Sequence, residues 1–178
     1  MMDYRVFLTD YASYNNGTQF EFGHWVDLTN FVDGSEFLEY VRNHFKEADK
    51  KSPLCSPREE IMITDIEGIP SELYSESGMN WDIVMEYVNM EECEQISFEI
   101  LLQQGYDAEY ASSHYDDIYP ILDIDIDNYV QDYLDEYYGE KFNNNIFNTR
   151  YITIEYDLFK QEAFTEYDTM HGKYYIFD

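Results

Sequence analysis

Hydrophobic and polar positions along this chain alternate in some stretches and recur every three or four residues in others. Tyr4–Thr9 carries the short β-rich run of a strand, and Asn15-Asn16-Gly17 is a turn signal. Phe20–Leu28 reads as a second strand with Gly23 at a bulge position. Over Ser35–Lys50 the period lengthens. Phe37, Leu38, Val41 and Phe45 fall at helical spacing, and Lys46, Lys50 and Lys51 suit a helix C-terminus. Pro53 and Pro57 mark a loop, and Ile61–Ile66 reads as a buried strand. From Ser71 the pattern is helical: Trp81, Val84 and Val88 share one face, Cys93, Ile96, Ile100 and Leu101 another, and Gly105 is a stop. Tyr129, Val130, Tyr133, Leu134 and Tyr137 form a third stripe closed by Gly139, and Lys173–Phe177 predicts a last strand. The fold class is α+β, with no internal repeat and no low-complexity linker.

Charge changes this picture. The formal net charge is -28, in a chain that is 44% hydrophobic and 19% aromatic. The acids are not evenly spread. Between Glu59 and Glu140, a stretch of 82 residues, there are 23 Asp and Glu and neither Lys nor Arg. Acidic blocks that stay disordered lack aromatics and aliphatics; this one is rich in both and predicts a folded surface built to be negative. Self-repulsion of this size destabilises the compact state, most at low salt. Such a surface repels nucleic acid and anionic membrane and steers toward basic proteins, of which nucleic-acid-binding clefts are the most basic.

The two cysteines, Cys55 and Cys93, form no CxxC pattern and read as the reduced thiols of a cytoplasmic protein. The opening Met-Met-Asp-Tyr-Arg lacks a signal-peptide apolar run, and no window is apolar enough to span a membrane. GxGxxG, Walker, HExxH and GxSxG motifs are all missing. The histidines, His24, His44, His114 and His171, are scattered and read as surface or satisfied core residues rather than catalytic bases. No cofactor is expected, and no catalysis: a general acid or base is a carboxylate singled out by its surroundings, and here no carboxylate pair stands apart from the rest. Asp123-Ile124-Asp125-Ile126-Asp127-Asn128 opens like a calcium loop, yet its sixth position is Asn128 rather than Gly and its twelfth is Leu134 rather than Glu. The plainer reading turns its isoleucines inward and its aspartates to solvent.

B-DNA carries one charge per roughly 1.7 Å of axis, so 23 carboxylates at that density correspond to about 39 Å, or about a dozen base pairs. The acids expected on such a surface are Glu59, Glu60, Glu67, Glu72, Glu76, Glu86, Glu91, Glu92, Glu94 and Glu99, then Asp107, Glu109, Asp116, Asp117, Asp123, Asp125, Asp127, Asp132, Asp135, Glu136 and Glu140. The competing reading is a solvated acidic face of the kind found in halophilic or highly soluble proteins. Halophile acidity is spread around the surface and mixed with some Lys or Arg, which this stretch lacks.

Several short stretches, in order along nearly the whole chain, resemble the ArdA antirestriction proteins of plasmids, conjugative transposons and phages. Tyr14-Asn15-Asn16-Gly17 followed by Gly23-His24-Trp25 is similar to the family's YNxG and GxW. Glu60–Glu67 with Gly68-Ile69-Pro70, Asp116-Asp117-Ile118-Tyr119 and His171-Gly172 also resemble family segments. Tyr151, Ile152, Ile154, Tyr156 and Leu158 lie where the family has its antirestriction motif, with departures at Thr153 and around Phe159. The resemblance implies an elongated chain of three small domains. On this sequence these are an N-terminal α+β domain over 1–58, an acidic, mainly helical middle domain over 59–105, and an acidic C-terminal α+β domain over 106–178 that joins a homodimer. It also implies a DNA mimic that sits in the DNA-binding cleft of type I restriction-modification enzymes in a bacterial host cell. Readings that keep the acidic surface but change the target are a CRISPR effector, a nucleoid protein, or a general acidic chaperone for basic proteins.

Overall fold

The computed structural model describes residues 2–76, 78–143 and 155–177, with 138–143 as backbone only. Two compact units divide the chain, Met1–Tyr115 and Asp116–Asp178.

The first unit starts from β1 (Arg5–Asp10), whose Val6 and Leu8 are buried while Arg5 and Phe7 lie on the opposite side. It is the central strand of an antiparallel sheet ordered β2-β1-β3, with β2 at His24–Asp27 and β3 at Ile61–Glu67. The β1–β3 register shifts between Phe7 and Leu8. The expected strand over Phe20–Leu28 is in fact a helical turn, Gln19–Phe22, followed by the short β2. Gly23 is not a bulge. A Cβ there would lie 2.3 Å from the Gln19 carbonyl oxygen, so only glycine lets the chain turn this closely from helix to strand.

Two short helices follow β1, α1 (Tyr11–Asn15) and the turn α2 (Gln19–Phe22). The longer α3 (Gly34–Lys51) is capped by Asp33, which accepts from the Glu36 N–H at 2.8 Å, and buries Phe37, Val41, Phe45 and Ala48 along one stripe. Two further helices, α4 (Trp81–Asn89) and α5 (Glu92–Gln103), complete the interior. Trp81 meets Phe37 of α3 with ring centroids 4.2 Å apart, and Tyr87 of α4 meets Phe98 of α5 at 5.4 Å. Cys93, expected on the buried face of α5, is exposed. α6 (Ala108–His114) packs on α4 and α5. The boundary expected at residue 58 therefore falls between strands that share one sheet, and the boundary expected at 105 separates helices packed together. The chain on either side of both belongs to a single unit.

Arg58 lies buried in this unit. Its Nη1 reaches Asp49 Oδ1 at 2.7 Å and the Ser52 carbonyl at 2.8 Å, and its Nε reaches Ser13 Oγ at 3.0 Å and Asp10 Oδ2 at 3.5 Å. The guanidinium also lies 5.0 Å from the centre of the Phe22 ring. One side chain so ties β1, the helical turn after it, α3 and the loop that precedes β3.

In the second unit the antiparallel sheet runs β4-β6-β5, with β4 at Ile121–Leu122, β5 at Phe164–Thr169 and β6 at Gly172–Phe177. The long helix α7 (Ile126–Asn143) and α8 (Tyr156–Ala163) pack with it. Ile126, Val130 and Leu134, four residues apart, form the core with Phe164 and Tyr175. Gly139 does not close α7, which continues to Asn143. Tyr129 and Tyr137, expected on the inner stripe, are exposed. No helix among the described residues is long and apolar enough to cross a membrane.

Candidate anionic interface

The carboxylates are placed by the elements that bury their neighbours. On α4, Trp81, Val84, Met85 and Val88 face inward and leave Asp82 and Glu86 on the outside. On α5 the first turn is the exposed part, with Glu91 and Glu92 in solvent. Glu59, Glu60, Glu67, Glu72, Glu76, Asp107 and Glu109 of the first unit are exposed, as are Asp116, Asp117, Asp123, Asp125, Asp127, Asp132, Asp135 and Glu136 of the second. Of the described carboxylates between Glu59 and Glu136, all but Glu94 and Glu99 are exposed. The side chain of Glu140 and residues Tyr151, Ile152 and Ile154 lie outside what the structure describes. Tyr156 and Leu158 open α8 and are exposed.

Glu99 overturns its expected place on the surface. It is 5% exposed and accepts a hydrogen bond from the Tyr87 hydroxyl at 2.7 Å. Burial and the adjacent carboxylate both push the Tyr87 pKa upward, so the phenol stays a donor. The physical reason is that α5 is buried at every position from Gln95 to Leu102, so its third turn has no solvent side. Glu94 is half-buried and accepts from the Glu91 N–H at 2.8 Å, which makes it part of the start of α5. Ile124 is 77% exposed rather than turned inward, whereas Ile126 is fully buried. The paired apolar positions of that segment do not share a face, because α7 begins at Ile126 and replaces alternation with helical spacing.

Cations modify the field in a few places. Arg5 pairs with Glu67 at 2.5 Å, and Lys160 pairs with Asp127 at 2.9 Å. Lys173 pairs with Glu166 and holds its carboxyl below the usual range. Arg58 adds no positive charge to the surface, because its side chain is buried. Along the sequence, the surface free of exposed Lys and Arg therefore begins after Lys51, several residues before the acidic stretch itself. This extension was not visible in the sequence, where Arg58 counts as one more base.

A groove of about 390 Å³ opens beside α4, with Asp33, Asp82, Glu86 and Glu94 around Val32 and Met90. Among the described residues, no group of three or more His, Cys, Asp or Glu side chains could hold a metal ion. His24 and His44 are hydrogen-bonded. His24 Nδ1 and His44 Nε2 both contact the Phe22 carbonyl, at 3.1 and 3.0 Å, and His24 Nε2 meets the Tyr40 hydroxyl at 2.7 Å. Burial, and next to it the neighbouring His24, lower the pKa of His44.

No family model matches the chain, and no curated protein or solved structure is detectably similar to it.

Proposed function

We propose that this protein is a DNA mimic that inhibits type I restriction-modification enzymes by occupying their DNA-binding cleft, and that it performs no chemistry of its own. The observation that carries the reading is the combination of exposed carboxylates on both units with the lack of any exposed Lys or Arg, in the described residues, from Ser52 to Tyr137. A cleft that binds duplex DNA presents Lys and Arg to phosphates, and these carboxylates present charge of the same sign. Within each unit, the carboxylates on α4, α5 and α7 stand on helices packed against their neighbours, so the backbone that carries them is ordered before any partner arrives, which lowers the cost of binding. The short matches to the ArdA proteins supply the restriction enzyme as the target and a homodimer as the working form.

The acids act together. Screened surface ion pairs are worth about 0–1 kcal/mol each, so removing one carboxylate changes inhibition little, whereas reversing several neighbours abolishes it. The test holds a purified type I restriction-modification enzyme on a labelled duplex while the protein is titrated in. Displacement at a near-stoichiometric ratio is the expected result. Displacement only from other DNA-binding proteins, such as a CRISPR effector or a nucleoid protein, moves the target and keeps the mimicry. Unsaturable binding to many basic proteins, unaffected by competing duplex, identifies an acidic chaperone instead.

A further inference from the structure

Two caps and one short helix set three flat rings in register. α5 ends in a Schellman turn. Gly105, at φ 91°, donates its N–H to the Leu102 carbonyl at 2.9 Å, and Tyr106 donates its N–H to the Leu101 carbonyl at 3.2 Å. Asp107 then caps α6 by accepting from the Tyr110 N–H at 2.8 Å. The rings of Tyr106, Tyr110 and His114 follow at intervals of four residues and are stacked. Tyr106 and Tyr110 have centroids 4.3 Å apart with planes 14° from parallel, and Tyr110 and His114 are 3.9 Å apart at 6°. His114 is fixed in place by its Nδ1–H, which donates to the Tyr110 carbonyl at 2.9 Å.

Another side of α6 is committed to the fold. Ala111 is fully buried, and the Ser112 hydroxyl donates to Glu86 at 2.6 Å. The tyrosines of the ladder are not committed in this way: Tyr106 is 46% exposed and Tyr110 40%. Among the described residues, Tyr106 has a ring neighbour on one face only. Exposed Glu109 lies beside the ladder in sequence, inside the stretch that has no Lys or Arg.

We propose that the outer ring face of Tyr106, held at the end of the Tyr106–Tyr110–His114 ladder, docks an arginine side chain of a basic partner. This rests on the reading of the acidic surface as one that receives a basic protein, and adds which basic residue it favours. The surrounding charge selects a cation. The rings select among cations. A guanidinium is planar, delocalised and weakly hydrated, so it stacks on an aromatic face while its N–H fork still reaches a carboxylate; a lysine ammonium is compact, strongly hydrated and gains less from the ring. The caps at Gly105 and Asp107 order the rings in advance, so little freedom is lost when the partner docks.

The experiment titrates the full-length protein against labelled oligo-arginine and oligo-lysine peptides of equal length. The wild type is expected to bind the arginine peptide more tightly, by about two- to fivefold, from the one ring face that is open. The double variant Tyr106→Leu/Tyr110→Leu is expected to lose that preference while keeping its affinity for the lysine peptide. Tyr106→Phe/Tyr110→Phe is expected to retain the preference, because the ring face and not the hydroxyl makes the contact. Equal binding of the two peptides by the wild type overturns the proposal. So does a Leu variant with an intact circular dichroism spectrum and an unchanged arginine preference. A Leu variant that alters only the sedimentation of the protein marks the ladder as a contact between copies of this chain, and also overturns it. The outcome is separable from the restriction reading. Failure to displace duplex with the arginine preference intact removes the restriction target alone, and displacement without the preference removes the ladder alone.

Discussion

α3 and α5 belong to the same unit and treat their acids differently. α3 has one buried stripe, Phe37, Val41, Phe45 and Ala48, and turns Glu39, Arg42 and Lys46 to solvent. α5 is buried without interruption from Gln95 to Leu102. Each helix nevertheless sends one carboxylate to an internal partner. Asp49 of α3 meets the buried Arg58 guanidinium, a full opposite charge, whereas Glu99 of α5 meets a neutral phenol. The fate of an acid in this chain is set by how completely its turn is enclosed. The same residue type on the first turn of α5, Glu92, is in solvent.

Arg58→Ala leaves Asp10 and Asp49 without their cation and is expected to destabilise the protein by about 3–5 kcal/mol, read as a lower urea midpoint at unchanged slope. Glu99→Ala orphans the Tyr87 hydroxyl and should cost about 1–3 kcal/mol. Glu99→Gln, which keeps an acceptor oxygen, should cost less than Glu99→Ala, and an equal loss for the two would show that the hydrogen bond is not what retains the residue. Next comes His44. Its lowered pKa means that the unfolded chain takes up a proton there more readily than the folded one, so stability falls as the pH drops below the ordinary histidine value of about 6.5. Melting temperature measured against pH should show a shallower acid slope for His44→Phe than for the wild type. The smallest effect is at the surface. Glu92→Ala should stay within about 0.5 kcal/mol of wild type, while the melting temperature of both proteins rises from low to moderate ionic strength as self-repulsion is screened.

The sequence was most legible where one face of an element is wet. The helix expected over Ser35–Lys50 is present as Gly34–Lys51, because an alternation between wet and dry positions leaves a period to read. The stripe Trp81, Val84 and Val88 is buried for the same reason. The strand expected over Ile61–Ile66 is present as Ile61–Glu67, but it is not buried throughout, since only Met62 and Ile63 are enclosed while Thr64, Asp65 and Glu67 are exposed. Glu99 was misplaced because a helix enclosed on all sides carries no such period, and a carboxylate in it looks like one on the surface. The role of Arg58 is not legible in the sequence, because its partners, Asp10 and Asp49, are distant or unremarkable there and only the fold collects them. The turn at Gly23 was missed because its cause is a backbone contact with Gln19, and the strands β4 and β5 because they pair only through β6. The Tyr106, Tyr110 and His114 spacing was present in the sequence, and would have been found by asking which aromatic rings recur at helical spacing outside the apolar stripes.

The division between enclosed and exposed positions also governs how such a chain drifts. Glu92, Asp132 and Asp135 stand outward from helices whose inner faces are closed by other residues. At sites like these aspartate and glutamate supply the same charge, and no tight packing distinguishes one from the other. An exchange between them rewrites the sequence and leaves the electric field nearly as it was. Descendants of one ancestor can therefore lose their likeness quickly over the acidic surface while the property under selection persists, and what stays recognisable is confined to positions such as Phe37, Tyr87 and Arg58, where shape and bonding admit few replacements.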